Sequence, residues 1–146
     1  MTDARPPIAR VIALLEGAHD EHDLQWLRRG FALAFRDGVP LDLALGLPAT
    51  AARMRTALRD YWLAEAASEL PAMLPWQRAQ ELARIGRAFE RRTWPLWRRY
   101  DHPPGHATAL DRVLFYLHRH GGRVPAARRV FDVIAPLASD IAAKAA

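Results

Sequence analysis

The side chains of this chain that could do chemistry are histidines, carboxylates and, above all, arginines. His19 and His22 lie three residues apart among acidic residues, and His102 and His106 flank a Pro-Pro-Gly segment. Imidazole and carboxylate groups at helical spacing can bind zinc or a similar cation. However, Gly17 breaks the predicted helix just before His19, and no metal motif such as H-E-x-x-H is present. We therefore expect no metal and no cofactor.

Nucleophiles and phosphate-binding loops are also scarce. Ser68 and Ser139 are the only serines, and neither lies in a Gly-x-Ser-x-Gly turn. The chain has no cysteine, and Lys144 is its only lysine, which excludes thiolate catalysis and the lysine-containing phosphate loop. The sequence predicts a protein that is not an enzyme.

Arginine dominates the charge of the chain, because 20 of its 21 basic residues are arginine. Residues 1–75 contain 8 basic and 10 acidic side chains, whereas residues 76–146 contain 13 and 6, so the net charges are −2 and +7. A concentration of guanidinium groups attracts phosphate or carboxylate partners. An excess of arginine over lysine can also mirror a GC-rich genome, so the positions of the arginines matter more than their number.

Residues 39–62 contain a short predicted helix, a Gly-Leu-Pro turn and a longer predicted helix. This segment resembles the helix-turn-helix family of DNA-binding domains, in which the second helix enters the major groove. The matching residues are Leu41, Leu45, Gly46, Leu47 and Ala52. Two residues depart from the pattern: Asp42 replaces a small residue and Arg55 an apolar one.

The resemblance implies that Thr50, Arg53 and Arg59 face DNA, since they lie on the outward part of the second helix. Arginine can bond guanine in the major groove or bind phosphate. The alternative is two helices of a bundle joined by a turn, with solvated arginines outside.

Residues 108–135 show a second helix, glycine turn and helix. Arg123, Arg128 and Arg129 lie around the start of its second helix, where the helix dipole also favours an anion. These three residues could bind phosphate. An ordinary helical hairpin with a hydrated basic end explains the pattern equally well.

The predicted long helix over residues 76–100 carries a stripe of Arg84, Arg87 and Arg91, opposite the apolar side of that helix. Such a stripe could follow a phosphate backbone, or it could be only the wet face of an amphipathic helix. The segment Trp94–Tyr100 interleaves aromatic residues with arginines, which suits base stacking, although core packing explains its two tryptophans better.

Apolar periodicity predicts an all-α fold: a single domain over residues 1–146 with about six or seven helices, a near-neutral half (1–75) and a basic half (76–146). In the second helix, Leu24, Leu27, Phe31 and Ala34 are expected to lie on one face, and Pro136 is expected to start a last helical piece. No apolar run approaches the ~18–20 residues of a membrane span, and the first residues do not resemble a signal peptide. We expect a cytoplasmic protein without membrane contact.

Two functions remain open at this point. The first is binding of nucleic acid, most simply duplex DNA, as a small regulator or mobile-element accessory protein. The second is a protein-interaction module, an adaptor or inhibitor, that docks on an acidic partner or a partner surface that accepts aromatic side chains, or that forms a homodimer.

Overall fold

A computed structural model describes residues 5–145 of the chain, and the side chains as far as residue 137. All regular elements in this described part are helices, which confirms the all-α class. The α-helices are α1 (Pro7–Glu16), α2 (Glu21–Asp37), α3 (Leu41–Leu45), α4 (Ala51–Ser68), α5 (Pro75–Arg92), α6 (Trp94–Trp97), α7 (Ala109–Tyr116) and α8 (Ala127–Ala145), and a π-helical turn spans Leu117–Gly121. The described part holds slightly more helices than expected.

The contacts of the chain group into two compact units, residues 1–58 and 59–146. This division falls inside α4 rather than at the change in charge near residue 75. Residues 1–58 contain 7 basic and 7 acidic side chains, whereas residues 59–146 contain 14 and 9. The whole excess of positive charge therefore belongs to the second unit. That the chain forms one domain stays a prediction.

In the first unit, α2 packs closely against α3 at Gly30. Gly30 is buried, and a side chain there would overlap that of Leu45 on α3. The indole Nε1 of Trp26 donates to the carbonyl oxygen of Leu45 at 3.3 Å. On the predicted apolar face of α2, Leu24, Leu27 and Ala34 are half-buried, whereas the side chain of Phe31 is exposed.

A buried carboxylate lies at the start of α2. Asp23 is fully buried, and its Oδ1 lies 3.1 Å from Nη2 of Arg5 and 3.4 Å from Nη1 of Arg10. Asp20 and Asp23 form a reciprocal capping box, in which each side chain accepts the backbone N–H of the other. The N–H of Asp23, followed by the charge of Arg5, holds the pKa of Asp20 below its usual range.

The core of the second unit lies mainly between α5 and α8. The inward face of α5 consists of buried Ala79, Leu82, Ala83, Gly86 and Phe89, and α8 contributes Val130 and Ile134. Leu63 and Ala66 of α4 and Leu114, Phe115 and Leu117 are also buried. These apolar positions recur every three or four residues, as an amphipathic helix requires.

Pro136 does not start a separate piece, as the sequence suggested, but lies inside α8. Proline has no N–H to donate to the carbonyl four residues earlier, which normally interrupts a helix. Tertiary packing supplies most helix stability, and Val130 and Ile134 of α8 are buried in the core just before Pro136.

The π-helical turn after α7 contains a buried histidine. Nδ1 of His118 lies 2.8 Å from the carbonyl oxygen of Leu114, and its ring packs on Phe89 and Trp94 at centroid distances of 5.1 and 5.4 Å. Burial lowers the pKa of His118, so the ring is held neutral and Nδ1 donates to Leu114. Nε2 is buried with no hydrogen-bond partner in the described part of the chain.

Candidate nucleic-acid interface

One side of α5 is exposed along its length, and we call it the α5 arginine face. It lies opposite the buried residues of the helix, and Glu81 and Glu90 fall at its edges rather than at its centre. Arg84 and Arg91 are about 10 Å apart along the helix axis, at 1.5 Å per residue. The face consists of Gln77, Gln80, Arg84, Arg87 and Arg91.

Arg87 and Arg91 are the two arginines of this face that form no ion pair within the described residues. Arg84 donates two hydrogen bonds to Glu81, one from Nε to Oε2 at 3.1 Å. These bonds lower the pKa of Glu81 and raise that of Arg84. Ion pairs between exposed side chains contribute only about 0–1 kcal/mol, so a phosphate can compete for Arg84.

The second predicted group is partly neutralised by carboxylates. Nε of Arg123 is 3.8 Å from Oε1 of Glu90, and Nε of Arg128 is 3.6 Å from Oδ1 of Asp132. Both distances are too long for a hydrogen bond. Arg123 and Arg128 are highly exposed, so these long pairs weaken their local field without blocking access by a phosphate.

Arg129, the third member of that group, is held together with Arg59 by one carboxylate. Nη2 of Arg129 lies 3.4 Å from Oδ2 of Asp60, and Arg59 donates to Oδ1 of the same residue from Nε at 3.2 Å and from Nη2 at 3.0 Å. The side chain of Arg59 is only 21 % exposed. Arg59 thus forms an ion pair within the second unit.

Thr50 and Arg53 come from the predicted helix-turn-helix segment. Oγ1 of Thr50 accepts the backbone N–H of Arg53 at 3.2 Å, so this hydroxyl is occupied at the start of α4. The Arg53 side chain is exposed and forms no ion pair within the described residues. Of Thr50, Arg53 and Arg59, therefore, Arg53 alone offers an exposed guanidinium without a carboxylate partner in the described chain.

Sequence reasoning missed the two glutamines of the α5 arginine face. Gln77 and Gln80 precede Arg84 at seven and four residues, so the helical spacing that linked the arginines could have found them. It also missed Arg92, which lines a shallow groove of the second unit with Arg84 and Asp111. Amide side chains donate to phosphate and sugar oxygens without adding charge, and a count of charged residues overlooks them.

The histidines and tryptophans that the sequence singled out lie in ordinary surroundings. His19, His22, His102 and His106 are all exposed, and no group of His, Asp and Glu side chains suited to hold a metal occurs within the described part. Trp94 contacts Phe115 edge-on at 5.6 Å, and Trp97 contacts Phe89 at 5.9 Å. The described contacts of both tryptophans are therefore packing contacts.

The first unit carries an exposed apolar patch that the sequence did not predict. The rings of Phe31 and Phe35 stack at 6.1 Å on consecutive turns of α2, and Phe35 is 84 % exposed. Contiguous exposed apolar surface of this kind marks interaction sites more often than isolated apolar residues do.

Among residues 5–145, no helix combines the length and the apolar character that a membrane crossing requires. Comparisons of the chain with protein-family models, with curated proteins and with solved structures found no match.

Proposed function

We propose that this protein binds nucleic acid, and duplex DNA in particular, by placing the α5 arginine face against the phosphate backbone. The observation that carries the proposal is the exposure of Arg87 and Arg91, one helical turn apart and without carboxylate partners in the described chain. Counterions released from phosphates on binding to such groups supply affinity that does not depend on base sequence.

The neighbouring groups of the second unit support this assignment. Arg84 lies on the same face, and Gln77 and Gln80 extend it with neutral donors. The net positive charge of the chain belongs entirely to this unit. A cytoplasmic location is part of the proposal. Base reading by Arg53 in a helix-turn-helix-like segment stays a separate hypothesis, because it depends on the first unit.

Fluorescence anisotropy with a labelled duplex of about 20 base pairs tests the proposal directly. The wild-type affinity is expected to fall steeply between about 50 and 200 mM salt, with a slope near −0.9 per phosphate contact. The double variant Arg87→Glu, Arg91→Glu should bind at least about tenfold more weakly, and its slope should be smaller by about 1.8. Circular dichroism checks that the variant folds.

The matched control is Arg29→Glu, Arg36→Glu on α2, which makes the same change of net charge at exposed arginines without ion pairs in the described chain. We expect it to retain most of the affinity. Equal losses in both double variants would mean that binding follows net charge alone, and a wild-type protein that does not bind duplex would refute the proposal.

The exposed Phe31–Phe35 pair favours a second function, self-association through α2. Aromatic residues in such patches commonly act as anchors of protein interfaces. Sedimentation velocity of the wild type and of Phe35→Asp separates the cases: a dimer that the substitution dissociates supports this function. A monomeric wild type would remove the argument for a homodimer.

A further inference from the structure

The second unit contains a cavity whose lining differs sharply from the arginine face. Its volume is about 210 Å³, and Ser68 and Leu137, both exposed, border it, so it opens to solvent. Apolar groups make up most of the wall. The lining residues are Ala64, Ala67, Ser68, Met73, Pro75, Arg78, Ile134 and Leu137.

Arg78 is the one charged residue among the described residues of that wall. Its Nε is buried and has no hydrogen-bond partner within the described residues. Nη2 makes one long bond, 3.4 Å, to the carbonyl oxygen of Pro71, and the side chain forms no ion pair in the described chain. A buried guanidinium donor without an acceptor is unfavourable, because it has lost its water and gained no partner.

The second polar residue of the wall, Ser68, already uses its hydroxyl hydrogen. Its Oγ donates to the carbonyl oxygen of Glu65 at 2.6 Å, so Ser68 presents lone pairs rather than a donor. No acidic side chain is among the described residues that line the cavity. Arg78 therefore lacks a hydrogen-bond acceptor. The rest of the cavity wall suits an apolar group of a ligand.

We propose that this cavity binds a small monocarboxylate with an apolar tail, whose carboxylate pairs with the Arg78 guanidinium and whose tail lies against Ala64, Ala67 and Ile134. Guanidinium groups bind carboxylates through two parallel hydrogen bonds, one of which can come from Nε. Apolar cavities of about 150 Å³ hold benzene, so a volume of about 210 Å³ suits a six-carbon acid. This site does not depend on nucleic-acid binding.

Isothermal titration calorimetry of the full chain with three probes tests the chemistry. Hexanoate is expected to bind saturably, hexan-1-ol at least about tenfold more weakly because it lacks the charge, and inorganic phosphate not measurably. Phosphate that binds as tightly as hexanoate would overturn the proposal in favour of a simple anion site. An absence of saturable hexanoate binding would overturn it outright.

Two variants separate the effect of the Arg78 charge from that of the cavity shape, and a third variant is the control. Arg78→Met should reduce hexanoate binding to the level of hexan-1-ol and leave the alcohol unaffected, whereas Arg112→Met at an exposed position of α7 should change neither. Ala64→Leu fills the cavity but keeps Arg78, and it should weaken both ligands at least about tenfold. If Arg78→Met does not fold, Ala64→Leu still decides, because unchanged hexanoate binding in it places the ligand elsewhere.

Discussion

Arg129 lies 69 residues after Asp60 in the chain, yet its Nη2 is 3.4 Å from Oδ2 of that carboxylate. Arg59, adjacent to Asp60, bonds the other oxygen at 3.0 Å. One half-buried carboxylate therefore joins guanidinium groups from α4 and α8. Arg59 and Arg129, which the sequence analysis assigned to DNA binding, therefore form ion pairs with Asp60 within the protein.

Asp60→Asn should lower the free energy of unfolding by about 1 kcal/mol, because it weakens two partly buried ion pairs and leaves two positive charges close together. Urea denaturation measures the change. Asp101→Asn is the matched control, since Asp101 is 89 % exposed and pairs with Arg119 alone within the described residues. A loss in the control as large as that in Asp60→Asn would contradict a special role for Asp60.

Gly86→Ala should destabilise the second unit by about 1–3 kcal/mol through overpacking. A Cβ at position 86 would lie 2.5 Å from Cβ of Val124, and both residues are buried. This clash outweighs the gain of roughly 0.5–1 kcal/mol that alanine normally brings to a helix interior. Val124→Gly removes the Cβ and both methyl groups that the new side chain would meet, so it costs stability alone but should make Gly86→Ala less harmful when the two are combined. Additive losses in the double variant would rule out the contact.

Asp23→Ala should cost about 3 kcal/mol, because it removes the capping box and the buried carboxylate that pairs with Arg5 and Arg10. Thermal unfolding and urea denaturation both report the loss. Glu21 and Gln25 lie on the exposed side of the same helix. Glu21→Ala is therefore expected to change stability by less than about 0.5 kcal/mol. A loss below 1 kcal/mol in Asp23→Ala would show that the buried carboxylate is dispensable.

Stability should fall as the pH drops below about 6.5, the pKa of an unfolded histidine. Burial lowers the pKa of His118 in the folded protein, and burial together with the charge of Arg119 lowers that of His120. The unfolded chain therefore takes up more protons between the folded pKa values and 6.5. Glu90 raises the pKa of His118, whereas Arg123, like burial, lowers it.

His118→Phe should flatten this pH dependence, since the aromatic surroundings accept a phenyl ring and the titrating group is gone. The measurement is the free energy of unfolding in urea between pH 5.5 and 7.5. The free energy of unfolding at pH 7.5 reports the loss of the bond to Leu114, and the change of that free energy with pH reports the titration. A slope equal to that of the wild type would exclude His118 as its source.

Glu81→Gln should strengthen duplex binding, because it releases Arg84 to contact phosphate. One additional contact makes the slope of log affinity against log salt steeper by about 0.9. Glu69→Gln, an exposed acid of the same unit without an ion pair in the described chain, makes the same change in net charge. Equal gains in the two variants would show that Arg84 makes no specific contact.

The helices of this protein follow from local sequence signals. Thr108 caps α7 by accepting the N–H of Asp111 at 3.1 Å, the role that threonine favours just before a helix. Gly38 and Gly46 adopt the left-handed conformation just after α2 and α3, which glycine adopts readily at helix ends. Such signals act within a few residues, so a single sequence contains them.

The packing faces and the free arginines could not be predicted in the same way. The inward face of α2 depends on the match between Gly30 and Leu45, which belong to different helices. The stripe of Arg84, Arg87 and Arg91 was predictable from spacing, because the three residues share one helix. The pairing of Arg129 with Asp60 was not, since it joins residues far apart in the chain.

The π-helical turn at Leu117–Gly121 has a consequence for how this sequence can vary. A π-turn accommodates one residue more than an α-helical turn, and here it aligns His118 with its aromatic neighbours while Gly121 lies against the backbone of Arg59. Deleting one residue would convert the turn to regular helix and rotate these contacts out of alignment. Length changes in related chains should therefore accumulate in the exposed stretch around Gly105 and spare this short segment.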